Sequence, residues 1–451
     1  MKYAYILFLF ILWGKTFGQS YSGLFTDNFS GIHNTIINPG SLADSRTKWE
    51  LNLFSINSIA STDYTPLTLG NITSFIENDS FDSLERLASD TNNFLINLDV
   101  LGPSIQFSLN EKNGLSLFTR IRAIGNINNI NGTLFESVYD GFANQDFDFV
   151  ANNMDFTTHA WAEIGLSYGL ILLQKKYHRL KGGISLKYLL GGGAIQGSST
   201  QLNGQYDSSI EEVSLNGDLS YAFSATETEG DVDYFDNLSS GYGFDFGVVY
   251  EFRTPSSLAP SNGDNPRGFN QYKLRMGLSF LDIGKITYRN TESSTYQINA
   301  TFAAQDLEED FISAIEDKVV PQTLVNDQAW KLPATINLNV DYWLTKQWYL
   351  NLNINQGLLD MNATFNNNPL NLITLTPRYE SRIFGAYLPI SNSKLSGTSI
   401  GLGLRLGPLL IGSGSLFSNL GNNAQLADIF LGLKIPVYHK RKSKDFKSKK
   451  Q

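Results

Sequence analysis

The chain has 451 residues, 34 of them basic and 43 acidic, for a formal net charge of −9, and it contains no cysteine. No nucleic-acid partner is expected of a chain with this acidic balance. The missing cysteine excludes disulfides, thiolate metal sites, cysteine nucleophiles and a lipid-modified N-terminal cysteine.

In chain order, residues 1–18 join a basic start, an apolar run from Tyr3 to Trp13 and small residues, which reads as a secretory signal with maturation at Gln19. The run is too short for a confident membrane helix, and no later stretch approaches about 18 uninterrupted apolar residues. Residues 19–47 show neither helical nor strand period and carry a turn at Asn38, Pro39 and Gly40. Their apolar Leu24, Phe25, Phe29, Ile32, Ile36 and Ile37 need burial, and Asp27 and Asp44 need cations. This N-terminal segment is expected either as a plug in a lumen or as a mobile arm beneath it.

Strand-like runs follow at 48–60, 102–109, 115–126, 157–172, 180–196, 211–224, 241–252, 271–288, 332–344, 347–358, 371–387, 397–414 and 427–437. The clearest is the hairpin 157–190, where Ala160, Ala162, Ile164, Leu166, Tyr168 and Leu170 alternate with His159, Trp161, Glu163, Gly165 and Ser167. A period of two over about a dozen residues, with aromatics near the ends, suits a strand with lipid on one side and a wet interior on the other. The expected fold is all-β: one transmembrane antiparallel barrel over 48–438, with about 14 strands and 12 as the alternative. Thirteen runs are one short of an even count, and Thr295–Phe302 is the expected extra strand. Helical insertions are expected at Phe81–Leu98 and Ala304–Val319.

The acids crowd into the long segments 77–99, 133–155, 206–236 and 305–317, where Arg86 is the only base, while Lys175, Lys176, Arg179, Lys181 and Lys346 sit at short turns. Long acidic loops are therefore expected outside the cell, with short turns and both mature termini in the periplasm. Residues 439–451 read as a basic, solvated tail.

Alternation assigns Arg120, Arg122, Glu163, Lys187, Asp245, Arg275, Asp341, Arg378, Glu380, Arg382 and Arg405 to the inward face. Three readings stay open: pairs that merely fill a narrow lumen, an anion-favouring passage, or partners for Asp27 and Asp44. No cofactor or metal is expected. The four histidines have no metal-ligand spacing, and Asp231, Asp233 and Asp236 do not fit a calcium loop. There is no GxSxG motif, and Gly401, Gly403 and Gly407 alternate with leucines inside a strand, so an enzyme is not expected, and an outer-membrane enzyme with dispersed catalytic residues stands as a second alternative.

The stretches Gly23 to Asn57 and Asp99 to Ala123 resemble a Bacteroidetes outer-membrane barrel family of unknown function. Asn38-Pro39-Gly40 more distantly resembles the Asn-Pro-Ala segment of long-chain fatty acid transporters and secretion-associated barrels, with Gly40 in place of Ala. The resemblance implies a barrel in outer-membrane lipid with its N-terminal segment inside. It also implies passive transport of small or hydrophobic solutes, with a surface or secretion partner protein as the alternative.

Overall fold

A computed structural model describes residues 21, 23–78, 84–142, 145–224, 239–258, 266–359, 365–367 and 369–439. The signal-like residues, the tail beyond His439 and Asp231, Asp233 and Asp236 lie outside this range.

The described strands form one antiparallel sheet that closes on itself in fourteen passes. They are β1 Thr47–Thr62, β2 Asn92–Leu101 with Ser104–Ser108, β3 Asn113–Ile130, β4 Phe147–Gln174, β5 His178–Asp207, β6 Glu212–Phe223 with Ser240–Phe252, and β7 Leu274–Ala303. Then come β8 Gln322–Lys331 with Thr335–Thr345, β9 Trp348–Gly357, β10 Leu372–Glu380, β11 Phe384–Tyr387 with Ile390–Ser393, β12 Gly397–Ile400 with Leu402–Leu406, β13 Leu409–Ser413 and β14 Leu426–Tyr438. Closure is direct, with Leu51 opposite Ile435 and Ile59 opposite Asp428. Three of the breaks within passes fall at Pro103, Pro333 and Pro389, which cannot donate to a ladder.

The two faces differ in chemistry. On β4 and β5, Ile164, Leu166, Tyr168, Ile184, Leu186 and Tyr188 point outward and are exposed, while Trp161, Glu163, Ser167, Ser185 and Lys187 are buried. Each such apolar side chain left in water forfeits about 1.5–3 kcal/mol, and the outer face carries several per strand. Hydrocarbon is the environment that fits this face, and no described helix is long and apolar enough to cross a membrane. The protein is a transmembrane β-barrel.

Fourteen strands arise differently from expectation. The runs 211–224 and 241–252 are two pieces of one pass, and Thr295–Phe302 is the far end of β7. The runs 371–387 and 397–414 each hide a tight turn, at Ser381–Ile383 and Gly407–Pro408, and are two strands apiece. The helix expected at Phe81–Leu98 is not found among its described residues. Asn92–Leu101 is a strand paired with β1, Ile96 opposite Ala60, with Ile96 facing out and Leu95 buried. Its alternation prevailed over the weaker helical spacing, and the helix of that connection is α1, Leu69–Asn78. A further helix, α2 Gly132–Asp140, joins β3 to β4. The second expected insertion is present as α3 Ala304–Glu309 and α4 Phe311–Lys318. Asp310 separates them in an extended conformation, its carboxylate accepting from the amides of Ile312 at 3.1 Å and Ser313 at 3.0 Å.

β4, β5 and β7 run 28, 30 and 30 residues, well past the roughly 9–11 that cross a bilayer. Their upper ends, with β6 and β8, make a sheet outside the membrane. One face of it packs Phe149, Leu202, Leu215, Ile298 and Phe302 against Leu134 of α2, Leu307 of α3 and Ile315 of α4.

Candidate functional site

Residues 21 and 23–46 lie inside the barrel, where they fold into single helical turns at Leu24–Thr26, Ile32–Thr35 and Pro39–Leu42 rather than into strands. Gly114, Gly169, Gly183 and Gly247 stand directly opposite one another across β3, β4, β5 and the lower piece of β6. With no side chains, these positions leave a smooth band on the inner wall, and the segment Asn38–Leu42 lies on it. A Cβ added at Gly183 would stand 2.3 Å from the Pro39 carbonyl carbon, and one at Gly114 2.5 Å from the Leu42 oxygen. Backbone thus meets backbone at distances only glycine permits.

The Asn38 side chain donates to the carbonyls of Val248 at 3.2 Å and Leu278 at 3.3 Å, and its own oxygen accepts from the Gly40 amide at 3.0 Å. Ser279 donates to the Ile37 carbonyl at 2.7 Å.

Three charged knots hold the rest. Asp27 accepts from Arg405 at 2.7 Å, from the Tyr387 hydroxyl and from the Phe29 amide at 2.7 Å. Burial would raise this carboxyl, but Arg405 and these donors hold it below the usual range. Asp44 meets Arg46 at 3.0 Å, Arg179, and Lys181 at 3.9 Å, with Lys181 also on Glu251 at 2.5 Å. Lys434 of β14 donates to the carbonyls of Phe29 and Ser30, both at 2.7 Å, and pairs with Glu50 at 3.0 Å, while Glu50 accepts from the Ile32 amide at 3.0 Å.

His33 sits among these and makes no ion pair with the described residues, although Asp99 opposes the effect of Lys434 on it. Its Nε2 lies 2.9 Å from the Ser55 hydroxyl and its Nδ1 3.3 Å from the Ser30 carbonyl. Burial, aided by nearby Lys434, pushes it down to about 3, so the docked ring is neutral. Beside the segment a small polar cavity of ≈ 20 Å³, with room for about one water, is lined by Asn34, Ser41, Asp44, Lys181, Glu251 and Arg275, among others.

The expected inward charges divide into groups. Arg120 takes Asp99 at 2.6 Å. Arg122, Glu163, Lys187 and Asp245 meet around Asp282, with Arg122 and Lys187 at 2.7 and 2.6 Å from it and Lys187 at 2.7 Å from Asp245. Asp282 lies where β7 bulges, at φ 58°, and its amide donates to Asp245 at 2.8 Å. Arg378 joins Asp341 and Glu380, and Asn28 of the segment donates to Glu380 at 2.5 Å. Arg275 donates to Asn28 at 3.1 Å. Arg382 is not inward: it is exposed at the turn between β10 and β11, its guanidinium 4.3 Å from the Tyr438 ring centre.

Above the charges lies an apolar layer of Trp161, Leu189, Ile286, Tyr288, Trp330 and Leu332, with Phe365 packed against it. Sequence reasoning missed the glycine band, Glu50, Lys434 and Asp282. It placed Arg179 and Lys181 at turns, although both share the parity of Lys187 and so face inward.

Comparison with curated proteins finds no match. Among solved structures, the chain is similar to the Pseudomonas putida toluene transporter TodX, with 10% identity, a TM-score of 0.42 and coverage of 93% of this chain and 94% of that one. It is similar in the same way to the Ralstonia pickettii toluene transporter TbuX, with 10% identity, TM-score 0.42 and coverage of 91% and 95%. For a Pseudomonas aeruginosa FadL homologue the figures are 9% identity, TM-score 0.42 and coverage of 93% and 99%. By sequence, the model of a family of unknown function, DUF5723, matches residues 39–414, from the docked turn of the N-terminal segment through β13, and the chain belongs to that family.

Proposed function

We propose that the protein is an outer-membrane barrel that passes small or hydrophobic solutes passively, with residues 21–46 as the plug that closes it. The observation that carries this is the glycine band. Eight strands enclose only enough space for their own side chains, whereas fourteen enclose more, and here the surplus is filled by a separate chain segment. That segment is held by hydrogen bonds and ion pairs, which can exchange with water.

In this reading the short turns and both mature termini are periplasmic and the long acidic loops extracellular. The inward charges, from Arg120 to Arg405 without Arg382, line the passage once the plug shifts, and the apolar layer around Trp330 receives a hydrophobic solute before it reaches them. A second reading, a non-transporting partner of surface or secretion machinery, has its own support. Asp27 and Asp44 of the segment are both already paired with buried arginines in the closed state, as in a permanent core.

Planar-bilayer conductance and solute uptake into liposomes separate the two readings. A chain lacking residues 20–44 that still shifts its gel mobility on heating should conduct more than the full chain. Unchanged conductance in that folded deletion would overturn the plug.

A further inference from the structure

The sheet that β4 to β8 build outside the membrane is not closed. The upper piece of β8 pairs with β7 along one side, from Gln322 opposite Thr295 to Lys331 opposite Lys285. Along its other side no strand pairs with residues 322–330 among the described residues, because β9 takes up only the lower piece, Thr335–Thr345. Alternate backbone amides and carbonyls there point away from β7 with no ladder among the described residues to receive them.

The side chains do not protect this edge. Residues 322–327 are all exposed, and Leu324 and Val325 are 66% and 62% exposed, with Val320 at 89%. Natural edges are usually blunted by lysine, an inward charge or a bulge within the strand. Here the run Gln322–Asn326 carries no charge, and the bulge comes only after it, between Asn326 and Gln328.

The chain entering this run forms an acidic rim, and at the far end the exposed Arg289 of β7 stands across the bulge from Asp327. Asp306, Glu308, Glu309, Asp310 and Asp317 lie on or between α3 and α4, and Asp327 ends the open run. Lys318 is the only base between 304 and 327, and its ammonium is engaged by the Thr301 carbonyl at 2.6 Å.

We propose that the open edge Gln322–Asn326 is a docking strand, which takes up by β-addition an extended segment of another protein that is apolar at alternate positions and flanked by lysine or arginine. Main-chain hydrogen bonds supply the register, Leu324 and Val325 supply one apolar contact on each face, and the acidic rim selects the flanks. A second copy of this chain is the disfavoured occupant, since edge-to-edge pairing would bring two acidic rims together.

The test uses the full chain in detergent micelles and a synthetic peptide of alternating valine and threonine with lysines at both ends. Hydrogen exchange should slow at the amides of 322–326 when this peptide is added. The same peptide with glutamate ends should give no protection. Leu324→Lys with Val325→Lys should abolish the effect, and so should Thr323→Pro, each with heat-modifiable mobility retained. Equal protection by the glutamate-ended peptide, protection confined to another segment, or self-association of the chain abolished by the same substitutions would overturn the proposal.

Discussion

Arg405 shows how one side chain can decide the state of the lumen. Its guanidinium is spent on Asp27 and on the carbonyls of Ser381 at 2.6 Å and Arg382 at 3.1 Å, so it ties the N-terminal segment to the turn between β10 and β11. Arg405→Ala leaves Asp27 buried without its cation, which costs about 3–5 kcal/mol. The barrel wall loses no ladder hydrogen bond. The expected outcome is a folded, heat-modifiable barrel with faster hydrogen exchange at residues 24–36, and Asp27→Asn in the same chain should restore part of the protection. Gly183→Val acts at the other anchor. It forces a side chain against the Pro39 backbone, and the displaced turn should show as raised protease sensitivity near Asn38 with mobility on gels unchanged.

At the scale of the element, the N-terminal segment carries a pH dependence through His33. An imidazole free in solution titrates near 6.5, whereas the docked ring titrates at about 3. Between these values the undocked state binds the extra proton, so docking is fully stable above about pH 6.5 and weakens as pH falls toward 3. At pH 5 the penalty is on the order of 2 kcal/mol. Conductance measured from pH 7.5 down to 5 should rise with acidification, and His33→Asn should flatten that rise. Part of this segment was legible in the sequence. Its lack of period, its six large apolar residues and its two aspartates marked a stretch needing burial and cations, and Arg405 was among the inward positions. Its partner on Asp44 was not, because Arg179 and Lys181 read as turn residues by position rather than by parity. The glycine band was invisible for a different reason: each glycine is one inward position in its own strand, and only pairing register sets the four side by side. Asp282 was hidden because a bulge reverses the parity on which inward positions were assigned.

The whole molecule is one sheet serving two environments, and the change of solvent along each strand explains its composition. Within the membrane the inner face is polar and the outer apolar. Beyond it the same strands reverse, with Val213, Leu215, Ile298 and Phe302 on the face that meets α2, α3 and α4, and Ser214, Asn216, Asn299 and Thr301 toward water on the other. Alternation alone therefore reports a strand in both regions without saying which face is greasy for lipid and which for a core. That is why strand existence was readable and strand length was not. The two regions also differ in what stabilises them. The barrel is held by closure and by lipid, whereas the outer sheet has open edges and depends on its own apolar core. Phe302 is 1% exposed at the centre of that core, under Lys318 and against the helices. Phe302→Ala removes a buried ring at a cost of about 3–5 kcal/mol. Because the core shares no apolar side chain with the lumen, that loss should stay local. Protease should cut within residues 199–224 and 304–320 of the variant, while the membrane-embedded strands keep the hydrogen-exchange protection and heat-dependent gel shift of the parent. Unfolding of the barrel in step with the outer sheet would mean that the two regions are one cooperative unit.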